Sequence, residues 1–164
     1  MSTAPLVVIL MGSKADETHC RKILVALSKY GLEVEMHVGS AHKTPEHILN
    51  LLGKYEADQR PKVYITVAGR SNALSGFVDG AVSAPVVACP PPSELLNSVD
   101  IFSSLRMPSG IAPAVVLEPD NAALLAAKIL GCCDAAVRTQ VIALQKEQVV
   151  KILGDDQVIY TEKV

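Results

Sequence analysis

The chain has 164 residues, of which 49% are hydrophobic, 20% charged and 4% aromatic, and its formal net charge is -2. This length suits one compact domain, and so much apolar surface offsets the entropy of ordering the chain, which excludes a disordered segment. The weak acidity argues against a nucleic-acid or anionic-membrane surface, and without Trp the core must be built from Val, Ile, Leu and Ala. No basic residue precedes the apolar run Leu6–Met11, which speaks against a secretory signal. No uncharged stretch reaches the ~20 apolar residues that span a bilayer. Cys20, Cys89, Cys132 and Cys133 form no Cys-x-x-Cys pair. They suit neither a zinc site nor a disulfide framework, so structural thiols in a reducing cytoplasm are expected.

The first element is the unbroken apolar run Leu6-Val7-Val8-Ile9-Leu10-Met11 ending at Gly12, as in a strand buried on both faces. Cys20, Ile23, Leu24, Leu27 and Tyr30 follow at helical spacing, and Gly31 stands where a helix C-cap belongs. A second strand over residues 34–38 alternates less cleanly. Thr44-Pro45-Glu46 marks a helix start, with proline in the first turn, and Ile48, Leu49, Leu52 and Tyr55 form the apolar face behind it. A third strand is expected over 63–67, a short helix around 74–82 and a fourth strand over 86–89. Residues 93–105 read as helical, 113–117 as a fifth strand and 121–130 as an Ala/Leu-rich helix.

Five strands with helices between them imply a parallel sheet with right-handed crossovers. The fold class is therefore α/β: a three-layer αβα sandwich on a flavodoxin-like (Rossmann-type) sheet, followed by an extra C-terminal helix. In that helix Val137, Val141, Ile142, Leu144, Val149, Val150, Ile152 and Leu153 cover more than half of the wheel, where one core-facing stripe would need less. It is expected to touch its own sheet on one side and another subunit on the other. A groove of its own domain is the plainer alternative.

Ligands of an open parallel sheet collect beyond the carboxyl ends of the strands, where strand order reverses. After strand one comes Gly12-Ser13-Lys14-Ala15-Asp16, after strand two Gly39-Ser40-Ala41-His42-Lys43-Thr44, and after strand three Ala68-Gly69-Arg70-Ser71-Asn72. These loops are small and polar and allow close backbone approach; two lead into helix N-termini, which favour phosphate. With Lys43 and Arg70 nearby, they read as a site for a small phosphorylated ligand. No Gly-x-Gly-x-x-Gly and no Walker loop is present, which disfavours dinucleotides and ATP hydrolysis. Ser13 and Asp16 could equally be helix caps, and Lys43 a solvated charge. His42 has the better case, in a Ser-Ala-His context too polar for core packing. His19 falls within the first helix, and His37 and His47 read as surface or packing residues.

Taken together, Met11-Gly12-Ser13-x-x-Asp16, Ser40-Ala41-His42-Lys43-Thr44-Pro45 and Asn121-Ala122-Ala123-Leu124-Leu125-Ala126-Ala127 resemble the phosphoribosylaminoimidazole carboxylase family of de novo purine synthesis. The likeness runs from Val7 to about Gly131. The family has a mutase branch with Ser-Ala-His-Arg and a histidine in the third loop. Here Lys43 replaces the arginine, and Gly69-Arg70-Ser71-Asn72 lacks that histidine. This loop and Ser104-Leu105-Arg106-Met107-Pro108-Ser109-Gly110 look like the carboxylase domain of the animal bifunctional enzyme, which takes carbon dioxide directly. Ala15 departs from the serine of many relatives.

The resemblance implies aminoimidazole ribonucleotide and carbon dioxide as substrates. It implies no metal, biotin or other cofactor, because the enamine ring carbon is already nucleophilic. By the same likeness Ser13 and Lys43 bind phosphate, Asp16 holds the ribose hydroxyls, and His42 is the acid/base, its ordinary pKa of ~6.5 suiting proton transfer near neutrality. Ser40, Gly69 and Ser71 are the choice for the carbon dioxide and carboxylate pocket. The expected organisation is one domain over residues 1–164, with a core over 5–132 and an oligomerisation helix over 133–154 in a cytoplasmic homo-octamer. The mutase is the alternative within the family. Outside enzymes, a flavodoxin or receiver module competes poorly, lacking stacking aromatics and the receiver's acids.

Overall fold

A computed structural model describes residues 4–69, 71–92 and 101–161. Strands β1 (Leu6–Met11), β2 (Glu33–Val38), β3 (Lys62–Val67), β4 (Val86–Ala88) and β5 (Ala114–Val115) form one parallel sheet in the order β2-β1-β3-β4-β5. Helices α1 (Glu17–Leu27), α2 (Pro45–Ala57), α3 (Ala73–Asp79), α4 (Phe102–Leu105), α5 (Pro119–Leu130) and α6 (Ala135–Thr161) complete it.

The central strand shows why its sequence had to be apolar throughout. Successive side chains of β1 point to opposite faces. Val7, Ile9 and Met11 join α1 and α5 in one core, and Leu6, Val8 and Leu10 join α2 and α3 in the other. The sheet is thus covered on both sides, as the αβα reading requires. β2 is an edge strand with half-exposed positions, which explains its blurred alternation. Gly31 closes the first helical segment at φ +68°, a left-handed conformation that glycine adopts without a Cβ penalty.

Several expected elements are trimmed. Leu49 lies on the outer side of α2 at 49% exposure, while Ile48, Leu52 and Tyr55 are buried, so the apolar face is narrower than the spacing suggests. The third helix stops at Asp79, and the fifth strand keeps only the two residues that pair with β4. Most of the helix expected over 93–105 lies outside the described residues; its end is α4.

The C-terminal helix is longer than expected and sits differently. Asp134 starts it, its carboxylate accepting from the Val137 N–H at 2.9 Å. The helix packs on α5 and on the turn Ser28–Tyr30 rather than directly across the sheet. Val137 and Val141 are buried there, and Leu144 packs against the same core. Beyond this point Val149, Val150, Ile152 and Leu153 are exposed. Among the described residues no helix is long and apolar enough to cross a membrane.

Candidate active site

The strand register places three loops side by side. Met11 lies opposite both Val38 and Val67, so the chain leaves β1, β2 and β3 at the same level. Strand order reverses between β1 and β3, and a crevice is expected there. The Gly12 N–H donates to Val67 O at 2.8 Å and the Gly39 N–H to Met11 O at 2.9 Å, extending the sheet by one bond into each loop.

The first loop is a reciprocal cap. The Ala15 N–H donates to Ser13 Oγ at 3.0 Å, and the Ser13 N–H donates to Asp16 Oδ2 at 3.2 Å. The capping reading of Ser13 and Asp16 is therefore correct, and the same turn fixes their side chains just beyond the carboxyl end of β1. A Cβ built on Gly12 would meet Ala68 Cβ at 3.3 Å and Asp16 Oδ2 at 3.8 Å, and one on Gly69 would stand 4.0 Å from Asp16 Oδ1. Bare backbone at these two positions lets loops one and three close around a single carboxylate. Burial pushes the Asp16 pKa above the ordinary value, opposed by the Ser13 N–H and by nearby His19.

The second loop is a closed turn. The Thr44 N–H reaches Ser40 O and the Ser40 N–H reaches Thr44 Oγ1, both at 2.9 Å, while the Lys43 N–H donates to Ser40 Oγ at 3.2 Å. Thr44 occupies the N-cap position before Pro45, but its hydroxyl serves this turn instead of capping α2. His42 and Lys43 ride on the turn exposed, and neither side chain bonds to another described residue. The turn is held by the Ser40, Lys43 and Thr44 N–H groups, and the two candidate side chains take no part in it.

In the third loop Gly69 faces Asp16 and Ser71 is exposed; Arg70 lies outside the described residues. Asn72 is buried and donates to Ser104 Oγ at 2.8 Å, tying the loop to α4. Ser71 lines an open groove of about 240 Å³ with Phe77, Met107, Pro108 and Ile111. The structure thus brings Ser13, Asp16 and Gly69 into one cluster and sets Ser40, His42 and Lys43 on the neighbouring loop. Two buried groups here were given no role from the sequence: Asn72 and His19. The spacing of His19, three residues beyond Asp16, was the one available signal.

Gly39 offers a test of the second loop. A Cβ at this position would stand 2.7 Å from Cγ1 of the fully buried Ile48, near the root of that side chain. Overpacking of this kind costs ~1–3 kcal/mol, and the strain falls on the turn that carries His42. Gly39→Ala is expected to lower the unfolding temperature and to cut activity together. An unchanged melting curve in calorimetry would show that α2 yields freely.

A family model described as AIR carboxylase matches residues 6–151. The phosphoribosylaminoimidazole carboxylase of Treponema denticola is 55% identical over 152 residues, covering 93% of this chain and 96% of that protein. A protein of the same name from Archaeoglobus fulgidus is 49% identical over 150 residues, 92% of this chain and 82% of its own length. The crystal structure of Treponema denticola PurE superposes with a TM-score of 0.93 at 53% identity, spanning 98% of this chain and 99% of that one.

Proposed function

The chain belongs to the AIR carboxylase family of purine biosynthesis, and from that premise we propose that it joins dissolved carbon dioxide directly to aminoimidazole ribonucleotide. The observation that carries this reading is the pair of loops that distinguishes the two branches. Ser40-Ala41-His42-Lys43 forms a closed turn at the same end of the sheet as the loop where Gly69 meets Asp16, and Gly69-Arg70-Ser71-Asn72 carries no histidine.

The chemistry then divides among few groups. Ser13 and Lys43 bind the 5′-phosphate, one by its hydroxyl and the other by its charge. Asp16 accepts hydrogen bonds from the ribose hydroxyls, most strongly and through both oxygens in its ionised form. The electron-rich ring carbon attacks the carbon of carbon dioxide, forming the new C–C bond and leaving that ring carbon tetrahedral. His42 removes the proton from it, and the electron pair returns to the ring, giving 4-carboxy-5-aminoimidazole ribonucleotide. Ser40, Gly69 and Ser71 hold the carboxylate as it forms. The reverse direction uses protonated His42 as the acid.

This reaction consumes no ATP and works on a nucleophile the substrate already carries. The proposed setting is the cytoplasm, and the proposed assembly is a homo-octamer built through α6. Incubating the purified protein with aminoimidazole ribonucleotide and bicarbonate, without ATP, is expected to yield the ring-carboxylated product at a rate that follows carbon dioxide concentration. Activity confined to the N-carboxylated isomer would assign the chain to the mutase branch instead.

A further inference from the structure

His19 lies in the first turn of α1, three residues beyond Asp16, so the two side chains leave the same side of the helix start. It is 8% exposed, and the reaction above makes no use of it. Its Nε2 stands 3.4 Å from Cys89 Sγ, at the carboxyl end of β4, and the Cys89 thiol donates to Leu117 O at 3.6 Å. A thiol both donates and accepts, so Cys89 can turn its proton toward Leu117 O and leave the sulfur to accept from a protonated Nε2. His19 can therefore gain a proton without giving up Cys89, and its charge changes while its position does not.

The groups around the ring come from three elements. Asp16 and Lys22 belong to the start and second turn of α1, Cys89 follows β4, and Glu118 precedes α5. Burial holds the His19 pKa below the ordinary value and Lys22 acts in the same direction, whereas Asp16 and Glu118 oppose them. Burial pushes the Cys89 thiol up to about 12, so it stays protonated throughout the working range. Coupling between two sites is reciprocal: a carboxylate that favours imidazolium is itself favoured by it.

We propose that His19 is a positioning residue for Asp16: pinned by Cys89, it takes up a proton as the pH falls, and its charge keeps the Asp16 carboxylate ionised and able to hold substrate. This rests on the reading of Asp16 as the ribose ligand. His19 touches no reacting atom, so its effect belongs in KM on the acid side of the pH profile rather than in kcat.

The test is kcat and KM against pH for the unmodified enzyme and for His19→Gln, Cys89→Ala and Asp16→Asn, with thermal unfolding of each as the folding control. Glutamine keeps an N–H for Cys89 but cannot titrate. His19→Gln is expected to move the acid limb of kcat/KM to higher pH, through a several-fold rise in KM at the acid end. Cys89→Ala, which loosens the imidazole but keeps it one helical turn from Asp16, is expected to displace that limb far less. A His19→Gln limb that coincides with the unmodified one overturns the proposal, and so does an equal displacement by Cys89→Ala, which would make the role structural. His19→Asn gives the same reading if the glutamine variant does not fold. Asp16→Asn separates the underlying premise: an unaltered KM there would remove Asp16 from the ribose site, whatever His19 does.

Discussion

His42→Asn is expected to lower turnover by ~10²–10⁴-fold, the usual worth of a positioned general base, while nucleotide binding changes far less. The geometry supports the separation. The turn that carries His42 is held by Ser40 and Thr44 through backbone and hydroxyl bonds, and the imidazole takes no part in them. Replacing the ring therefore leaves the loop's own hydrogen bonds standing. Phosphate and ribose are assigned to Ser13, Lys43 and Asp16, so their contacts survive as well. Asparagine has similar reach and polarity but cannot accept and return a proton near neutrality. Calorimetric binding of the substrate nucleotide, measured beside turnover, separates this role from a bracing one, in which affinity, stability and rate would fall together. Near-normal turnover would remove His42 from the mechanism.

The pattern of apolar runs revealed the sheet because β1 and β3 are covered on both faces and had to be apolar at every position. The pattern blurred wherever one side of an element is open. β2 at the sheet edge, Leu49 on the outside of α2 and the two-residue β5 are all such cases. The candidate loops were legible through their position: Ser13, Asp16, Gly69 and the Ser40–Lys43 segment all follow strand ends. What spacing could not supply was the lateral contact between loops. That Asp16 lies against Gly69, or that His19 reaches Cys89, follows from which strands are neighbours in the sheet, and residues so far apart in sequence carry no local signal of it. The same limit hid Asn72, whose partner Ser104 belongs to α4.

Deleting everything after Cys132 is expected to yield smaller or aggregated species in place of the proposed octamer. Two separate losses drive this. Val137 and Val141 are buried where α6 packs on the body, and each buried valine contributes ~1.5–3 kcal/mol, a sizeable part of the ~5–15 kcal/mol that stabilises a domain. The second loss concerns the rest of the helix. α6 has 27 residues, and its only buried positions, Val137 and Val141, lie in its first two turns. Val150, Leu153, Ile159 and Tyr160, at 70%, 60%, 63% and 76% exposure, stand on the free portion. A stretch of helix without packing is marginal in water, and a run of exposed apolar side chains along it adds to the penalty. Neighbouring copies of the chain, arranged as the family resemblance implies, would cover both. The two losses can be told apart by changing Val150 and Leu153 to lysine while keeping Val137 and Val141. That variant should stay folded yet fall apart into smaller assemblies in light scattering, whereas the truncation should also lose thermal stability. A full-length monomer at micromolar concentration would mean that the outer face of α6 has no partner in its own kind.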